Sequence, residues 1–175
     1  ISTSSLPALA IDVLGRAVHG TEEQHRYAIR TDAAARAQGH APALFDLLVA
    51  TIDGCLARLG DLAGEVVAVG VTGFWHGLLG LGADGEPATP VFYWADTRAA
   101  ADAAALRRDL DEAAVLARTG CRFHSSYWPA KLRWLARTQP VETAAVCRWT
   151  GFAEFALGRL CGTAGGGMSV SMASG

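Results

Sequence analysis

Residues 71–99 read V-T-G-F-W-H-G-L-L-G-L-G-A-D-G-E-P-A-T-P-V-F-Y-W-A-D-T-R-A. Two short apolar runs, Leu78–Leu81 and Pro90–Tyr93, flank Asp84-Gly85, which is typical of a hairpin turn. Directly upstream, Val66–Gly73 is a continuous apolar run rich in β-branched residues. That composition predicts a strand buried on both faces, inside a sheet that helices cover.

Working outward from this block, the sequence predicts strands first and helices later. Leu6–Leu14 and Arg26–Thr31 suggest an antiparallel meander with a turn at Gly15-Arg16. Apolar residues at steps of three and four predict helices, and one short strand is expected around Val146. The predicted helices are Pro42–Leu59, Thr97–Leu110, Asp111–Arg118, Trp128–Arg137 and Phe152–Leu160. The fold class is therefore α/β, with a mixed β-sheet flanked by helices.

Composition excludes several classes of protein. The 175 residues are 51% hydrophobic and 18% charged with a net charge of -2, which predicts a globular core and, without a basic run, no nucleic-acid partner. No stretch approaches the roughly 20 apolar residues of a membrane helix, and no signal peptide is visible. The cysteines are far apart, so we expect buried free thiols in the cytoplasm: Cys55, Cys121, Cys147 and Cys161. A homo-oligomer is compatible with the sequence but not indicated by it.

Three glycine or cysteine patterns are better explained without a ligand. Gly80-x-Gly82-x-x-Gly85 has no helix after it and is expected to be a hairpin tip rather than a dinucleotide site. Gly162–Ser169 has phosphate-loop spacing but Met168 where a lysine is needed. Cys121 and His124 lack a second ligand pair, so no metal site is predicted.

Three other motifs are stronger candidates, each at the predicted end of a strand. Thr3-Ser4-Ser5 offers hydroxyl and N–H groups that can cradle phosphate, although hydroxyl-rich termini are common. Trp75-His76 combines a stacking ring with a hydrogen-bonding imidazole, as sugar sites do, although it could equally be a core pair. Asp96 and Arg98 either serve a site or cap the helix that starts there.

The order of these motifs resembles the FGGY carbohydrate kinases. Residues 71–99 look like that family's x-x-H-G segment, D-G-x-P hairpin and W-x-D-x-R strand end. Thr3–Ser5 followed by L-x-x-D-x-x-G-R is similar to its first phosphate-facing turn, and Thr119–Leu135 is similar to its T-G segment and K-x-x-W helix. Phe152–Gly162 and S-V-S-M-A-S-G at 169–175 extend the likeness. The F-W-H and H-S-S-Y-W-P-A-K details look most like gluconokinase-type members.

The resemblance implies an actin-like, ribonuclease-H-type ATPase lobe. It implies that residues 1–175 are most of the N-terminal, sugar-binding lobe, whose partner is a C-terminal nucleotide lobe absent from this chain. It also implies ATP and Mg²⁺ as cofactors and a small sugar or sugar acid as substrate. By this likeness the residues of the phosphate turn are Thr3, Ser4 and Ser5. The implied substrate-binding residues are Trp75, His76, Asp96, Arg98, His124 and Tyr127, with Asp96 and Arg98 ordering the strand exit.

Both ends of the sequence look cut, and a fragment is expected. The family's acidic residue and glycine before Thr3 are replaced by Ile1 and Ser2. No catalytic residue is assigned in this chain, since the family's aspartate would lie beyond Gly175, and the chain alone should be inactive. Gluconate is the favoured substrate, with Arg122 or Lys131 as a cation for its carboxylate. Alternatives are a kinase for xylulose, ribulose or glycerol, a non-catalytic sugar-binding module, or a scaffold without a ligand.

Overall fold

A computed structural model describes residues 1–2 and 4–163. The strands in these residues are β1 (Ser5–Ala8), β2 (Glu23–Arg26), β3 (Gln38–Gly39), β4 (Leu79–Leu81), β5 (Val91–Phe92) and β6 (Arg148–Thr150). The helices are α1 (Ala41–Leu59), a 3₁₀ helix (Gly60–Glu65), α2 (Ala100–Asp109), α3 (Glu112–Thr119), α4 (Trp128–Thr138), α5 (Pro140–Ala144) and α6 (Phe152–Leu160). Within the described ranges, no helix combines the length and the apolar character needed to cross a membrane.

The chain divides into two compact units, Ile1–Ala28 with Pro42–Phe74, and Ile29–Ala41 with Trp75–Gly175. In the first unit β1 and β2 pair antiparallel, which confirms the predicted meander. The second strand, however, lies upstream of the predicted Arg26–Thr31. Its polar side chains are fixed by α1, because His25 Nδ1 lies 3.0 Å from Thr51 Oγ1 and Arg58 Nε donates to Glu23 at 2.9 Å.

Helix α1 confirms the predicted helix over Pro42–Leu59 almost to the residue. Its apolar face is buried as the spacing requires, with Leu44, Leu48 and Cys55 each at most 7% exposed. The expectation of buried thiols was wrong for two of the four cysteines, since Cys147 and Cys161 are exposed. All four cysteines are free, as predicted.

The predicted buried strand at Val66–Gly73 is not formed. Among the described residues no strand pairs with this segment, and Val67 and Val69 are 91% and 71% exposed. A strand buried on both faces needs hydrogen-bonding neighbours and covering helices. The apolar pattern identifies a segment suited to such a position, but it does not supply those neighbours.

In the second unit β3 pairs with β5, and β4 pairs with β6. Bridges between Leu78 and Phe92 and between Leu81 and Pro87 confirm the predicted hairpin, whose tip turns at Gly85 with a φ of +79°. The strands of the described part thus form three two-stranded antiparallel sheets rather than one mixed sheet. The α/β character, with helices beside the strands, is confirmed.

The core of the second unit lies between the hairpin and helices α2 and α4. Its buried members are Leu78, Phe92, Ala99, Ala103, Trp128, Ala130, Trp134 and Leu135. Helices α2, α3, α4 and α6 confirm four predicted helices, and α3 is bounded by the Asp111 cap and by Gly120 at a φ of +74°. The strand expected around Val146 begins at Arg148, and α5 was not predicted. The glycine pattern from 164 onward and S-V-S-M-A-S-G lie outside the described residues.

Candidate functional site

Four of the predicted site residues form a continuous row of rings in the second unit, which we call the aromatic row: Trp75, His76, Tyr127 and His124. The Trp75 and His76 rings stack at 4.7 Å with an interplanar angle of 12°. Tyr127 lies 4.2 Å from His76 on one side and 5.4 Å from His124 on the other, measured between ring centroids. Trp75 is 48% exposed, so this end of the row is open to solvent.

Two hydrogen bonds connect the start of helix α4 to the backbone segments that lie beside the aromatic row. Trp128, the first residue of α4, donates from Nε1 to the Gly77 carbonyl at 3.1 Å. Ser126, just before the helix, donates from Oγ to the Trp94 carbonyl at 2.7 Å. The segment after His76 and the end of the β5 strand are therefore tied to the start of α4. The sequence marked Ser126 and Trp128 only as part of the H-S-S-Y-W-P-A-K likeness and predicted neither hydrogen bond.

His76 has two unusual features. Its φ is +60°, a left-handed conformation that costs a non-glycine residue about 1–2 kcal/mol. Its Nδ1 is buried without a hydrogen-bond partner in the described part of the chain. Burial, together with the positive charges of Lys131 and His124, lowers the pKa of His76 below its usual value. The imidazole is therefore neutral at pH 7, with one nitrogen that accepts and one that donates a hydrogen bond.

Asp96 and Arg98 do not join the row but pair with each other. Arg98 reaches Asp96 Oδ1 from Nε at 2.9 Å and Oδ2 from its terminal nitrogen at 2.6 Å. The Ala37 amide also donates to Asp96, at 3.1 Å, and the Arg98 guanidinium lies 4.4 Å from the centre of the Trp134 ring. Asp96 is only 2% exposed. Its contacts connect the turn after β5 to Ala37, the residue before β3.

Lys131, the only lysine in the chain, is 1% exposed. Its Nζ donates to the carbonyls of Tyr93 at 2.7 Å, His76 at 2.9 Å and Phe92 at 3.4 Å. All three hydrogens of the ammonium group are thus used inside the protein. The expectation that Lys131 could bind a substrate carboxylate was therefore wrong, because its charge is directed into the backbone.

The predicted phosphate turn belongs to the first unit, and Thr3 lies outside the described residues. The Ser2 hydroxyl accepts hydrogen bonds from the amides of Ser5 at 3.2 Å and Ser4 at 3.4 Å. Gln24 donates to the buried Ser5 hydroxyl at 2.8 Å, while Ser4 is exposed. The amides that would donate to a phosphate oxygen already donate to the Ser2 hydroxyl. The described turn therefore does not fit a phosphate in this arrangement.

Metal-ligating side chains do not gather in the part of the chain that the structure describes. It contains no group of three His, Cys, Asp or Glu side chains placed to hold a metal ion. His124 Nδ1 instead accepts from the Ser126 amide at 3.1 Å.

The fold defines the class of the chain, an α/β lobe, and comparisons with known proteins agree with it. Residues 1–175 match the N-terminal domain of the FGGY family of carbohydrate kinases. The chain belongs to that family. It is 33% identical over 147 residues to a xylulose kinase from Streptomyces coelicolor, an alignment that covers 83% of this chain and 29% of the relative.

Solved structures confirm the actin-like fold of this family. A xylulose kinase from Rhodospirillum rubrum superposes with a TM-score of 0.83 at 22% identity, over 90% of this chain and 32% of that one. A gluconate kinase from Lactobacillus acidophilus gives a TM-score of 0.74 at 22% identity, over 90% of this chain and 31% of that one. The chain thus spans about three tenths of the length of these relatives.

Proposed function

We propose that residues 1–175 are most of the sugar-binding lobe of an ATP-dependent carbohydrate kinase, completed by a nucleotide lobe outside this chain. The complete protein would transfer the γ-phosphoryl group of Mg-ATP to a primary hydroxyl of a small open-chain sugar. The aromatic row is the observation that carries this proposal. A half-exposed tryptophan stacked on a half-buried, neutral imidazole suits a ligand with both C–H faces and hydroxyl groups.

In this proposal the residues of the row bind and orient the acceptor. Trp75 stacks on the carbon skeleton, and His76 forms a hydrogen bond with one hydroxyl. In the transfer, the sugar oxygen forms a bond to the γ-phosphorus while the bond from that phosphorus to the β,γ-bridging oxygen breaks, and ADP leaves. The hydroxyl proton passes to a carboxylate, which we place in the part of the protein after residue 175. Positioning is the main requirement of phosphoryl transfer, so a row of packed rings that orients the sugar is a suitable contribution.

ATP and Mg²⁺ enter this proposal through the family alone. ATP brings the phosphoryl group, and the ion neutralises charge on its phosphate oxygens. Ser4 and Ser5 would contribute phosphate contacts only after their amides release the Ser2 hydroxyl. We therefore assign no step of the reaction to the Thr3–Ser5 turn.

A neutral ketose of the xylulose type is the proposed substrate, ahead of gluconate. The relative with 33% identity is a xylulose kinase, and a carboxylate would need a cation that the described row does not offer. Lys131 is committed to backbone carbonyls, and Arg98 is neutralised by Asp96. Gluconate is the second candidate, since Arg122 is exposed two residues before His124 and could meet its charge.

A panel assay of the complete protein tests the proposal. Xylulose, ribulose, glycerol and gluconate are offered with Mg-ATP, and phosphorylation is expected for xylulose. His76→Ala should then lower kcat/KM for the sugar about tenfold or more, on the order of 1.4 kcal/mol, with the KM for ATP unchanged. His19→Ala is the matched control, because His19 is exposed in the first unit.

Three results would contradict parts of this proposal. Sugar binding by calorimetry without phosphorylation would indicate the non-catalytic module. Phosphorylation of gluconate alone would replace the proposed substrate. An unchanged kcat/KM in His76→Ala would remove the aromatic row from the sugar site.

A further inference from the structure

The three carbonyls that Lys131 contacts differ in what else they bind. The Phe92 carbonyl also accepts from the Leu78 amide at 3.0 Å, and the Tyr93 carbonyl from the Asp96 amide at 3.1 Å. Among the described residues, the His76 carbonyl accepts only from Lys131. Loss of the Lys131 ammonium would therefore leave two of the three carbonyls bonded and one orphaned.

The orphaned carbonyl would belong to the residue whose backbone is least favourable by itself. His76 has a φ of +60°, a region that side chains other than that of glycine avoid unless surrounding contacts impose it. The contact from Lys131 is long-range, across 55 residues of sequence, and it comes from helix α4, which begins directly after Tyr127. This hydrogen bond therefore fixes the His76 backbone relative to Tyr127, whose ring packs against the His76 imidazole.

We propose that Lys131 is a positioning residue for sugar binding, whose ammonium group holds the His76 peptide in its left-handed conformation and so places the imidazole between Trp75 and Tyr127. The proposal rests on the assignment of the aromatic row to the sugar. Lys131 itself does not contact the substrate, because its Nζ is enclosed by carbonyls. It acts on the sugar only through His76.

This role depends on the charge of Lys131. The ammonium form donates three charge-assisted hydrogen bonds, whereas the neutral amine has only two donors, and its hydrogen bonds, including the one to the His76 carbonyl, are weaker. Burial lowers the pKa of Lys131 to about 7, opposed by the nearby negative charge of Asp96. Asp96 is paired with Arg98, and the charge of Lys131 acts in turn on His76, which His124 also faces. The sugar KM of the wild type should therefore rise above about pH 7 while the KM for ATP stays constant.

The test uses the complete protein and the variant Lys131→Met, which keeps the apolar stem and removes the donors. We expect a sugar KM at least tenfold above that of the wild type at pH 6, little further change up to pH 9, and an unchanged KM for ATP. Added to His76→Ala, the Lys131→Met substitution should raise the sugar KM no further, since both act on one residue. Arg133→Met is the matched control on α4, because Arg133 is 40% exposed and pairs with Asp109, which is exposed too.

NMR signals of the His76 ring, assigned by their absence from His76→Ala, provide a second readout that does not depend on activity. In the wild type they should shift with a midpoint near pH 7, and in Lys131→Met they should differ from the wild type at pH 6. If Lys131→Met does not fold, the wild-type rise in sugar KM with pH must vanish in His76→Ala.

Ring signals and sugar KM equal to those of the wild type in Lys131→Met would overturn the proposal. So would a sugar KM that rises with pH equally in the wild type and in His76→Ala. The His76 ring signals could change in Lys131→Met while the sugar KM of His76→Ala equals that of the wild type. In that case the assignment of the aromatic row to the sugar is wrong, and the positioning of His76 by Lys131 stands.

Discussion

Replacement of Asp96 by asparagine should strongly destabilise the second unit. The substitution keeps the size of the side chain but removes the charge that faces Arg98, whose side chain is only 15% exposed. One amide oxygen must then serve contacts that two carboxylate oxygens share, and the amide NH₂ points at the donors of Ala37 or Arg98. Breaking a buried ion pair costs about 3–5 kcal/mol. Since Arg98 keeps some exposure and its contact with Trp134, we expect the lower end, about 3 kcal/mol.

Chemical unfolding of the complete protein, followed by tryptophan fluorescence, measures this loss. Asp109→Asn is the matched control, because Asp109 and its partner Arg133 are 49% and 40% exposed and such a pair contributes below about 1 kcal/mol. The double variant Asp96→Asn, Arg98→Met should recover part of the loss, since no unpaired charge is left buried. If Asp96→Asn unfolds like Asp109→Asn, the pair does not hold the turn after β5, and the assignment of a positioning role to it is refuted.

Two further predictions concern packing and pH. Gly80→Ala should lower the free energy of unfolding by about 1–3 kcal/mol, because a Cβ there would lie 2.6 Å from Val146 Cγ2 and 2.9 Å from Thr89 Cγ2. Gly64→Ala is the control in the same unfolding assay and should be nearly neutral, because the space around Gly64 is open. Burial lowers the folded-state pKa of Lys131 to about 7 from the ordinary value of 10.5, so the unfolded chain binds the extra proton between these values. The free energy of unfolding should then rise with pH across that window, by up to about 1.4 kcal/mol per pH unit relative to Lys131→Met, and the difference between the two proteins should be flat below about pH 7. A difference that falls with rising pH would contradict the buried charge.

Helices and turns were predictable because their signals are local. The spacing of Leu44, Leu48 and Cys55 places α1, and Asp111 and Gly120 bound α3 because a capping carboxylate and a left-handed residue act within one turn of helix. The Asp84-Gly85 hairpin follows from the same kind of information.

Strand pairing and the contacts of the site depend on residues far apart in the sequence, so local patterns did not predict them. The composition of Val66–Gly73 describes a residue set suited to a buried strand, but whether neighbours pair with it depends on chain segments far away. The position of β2 likewise follows contacts from His25 and Glu23 to α1, which no local pattern encodes. In the site, Trp75 and His76 stood out by residue type. The isolation of Lys131 in a chain rich in arginine was the one sequence signal for its role, and it did not reveal the contact with His76.

The burial of Lys131 has opposite consequences for folding and for the proposed binding. Desolvation penalises the ammonium form, so the folded state is more stable where the lysine is neutral. The ammonium form binds the His76 carbonyl more strongly than the neutral amine does, so sugar affinity should be higher where the fold is less stable. A lysine retained only for packing would show the first trend without the second, because neutral amine and ammonium have nearly the same volume. Rising stability together with a rising sugar KM above about pH 7 is therefore the combination that separates a positioning charge from a buried structural lysine.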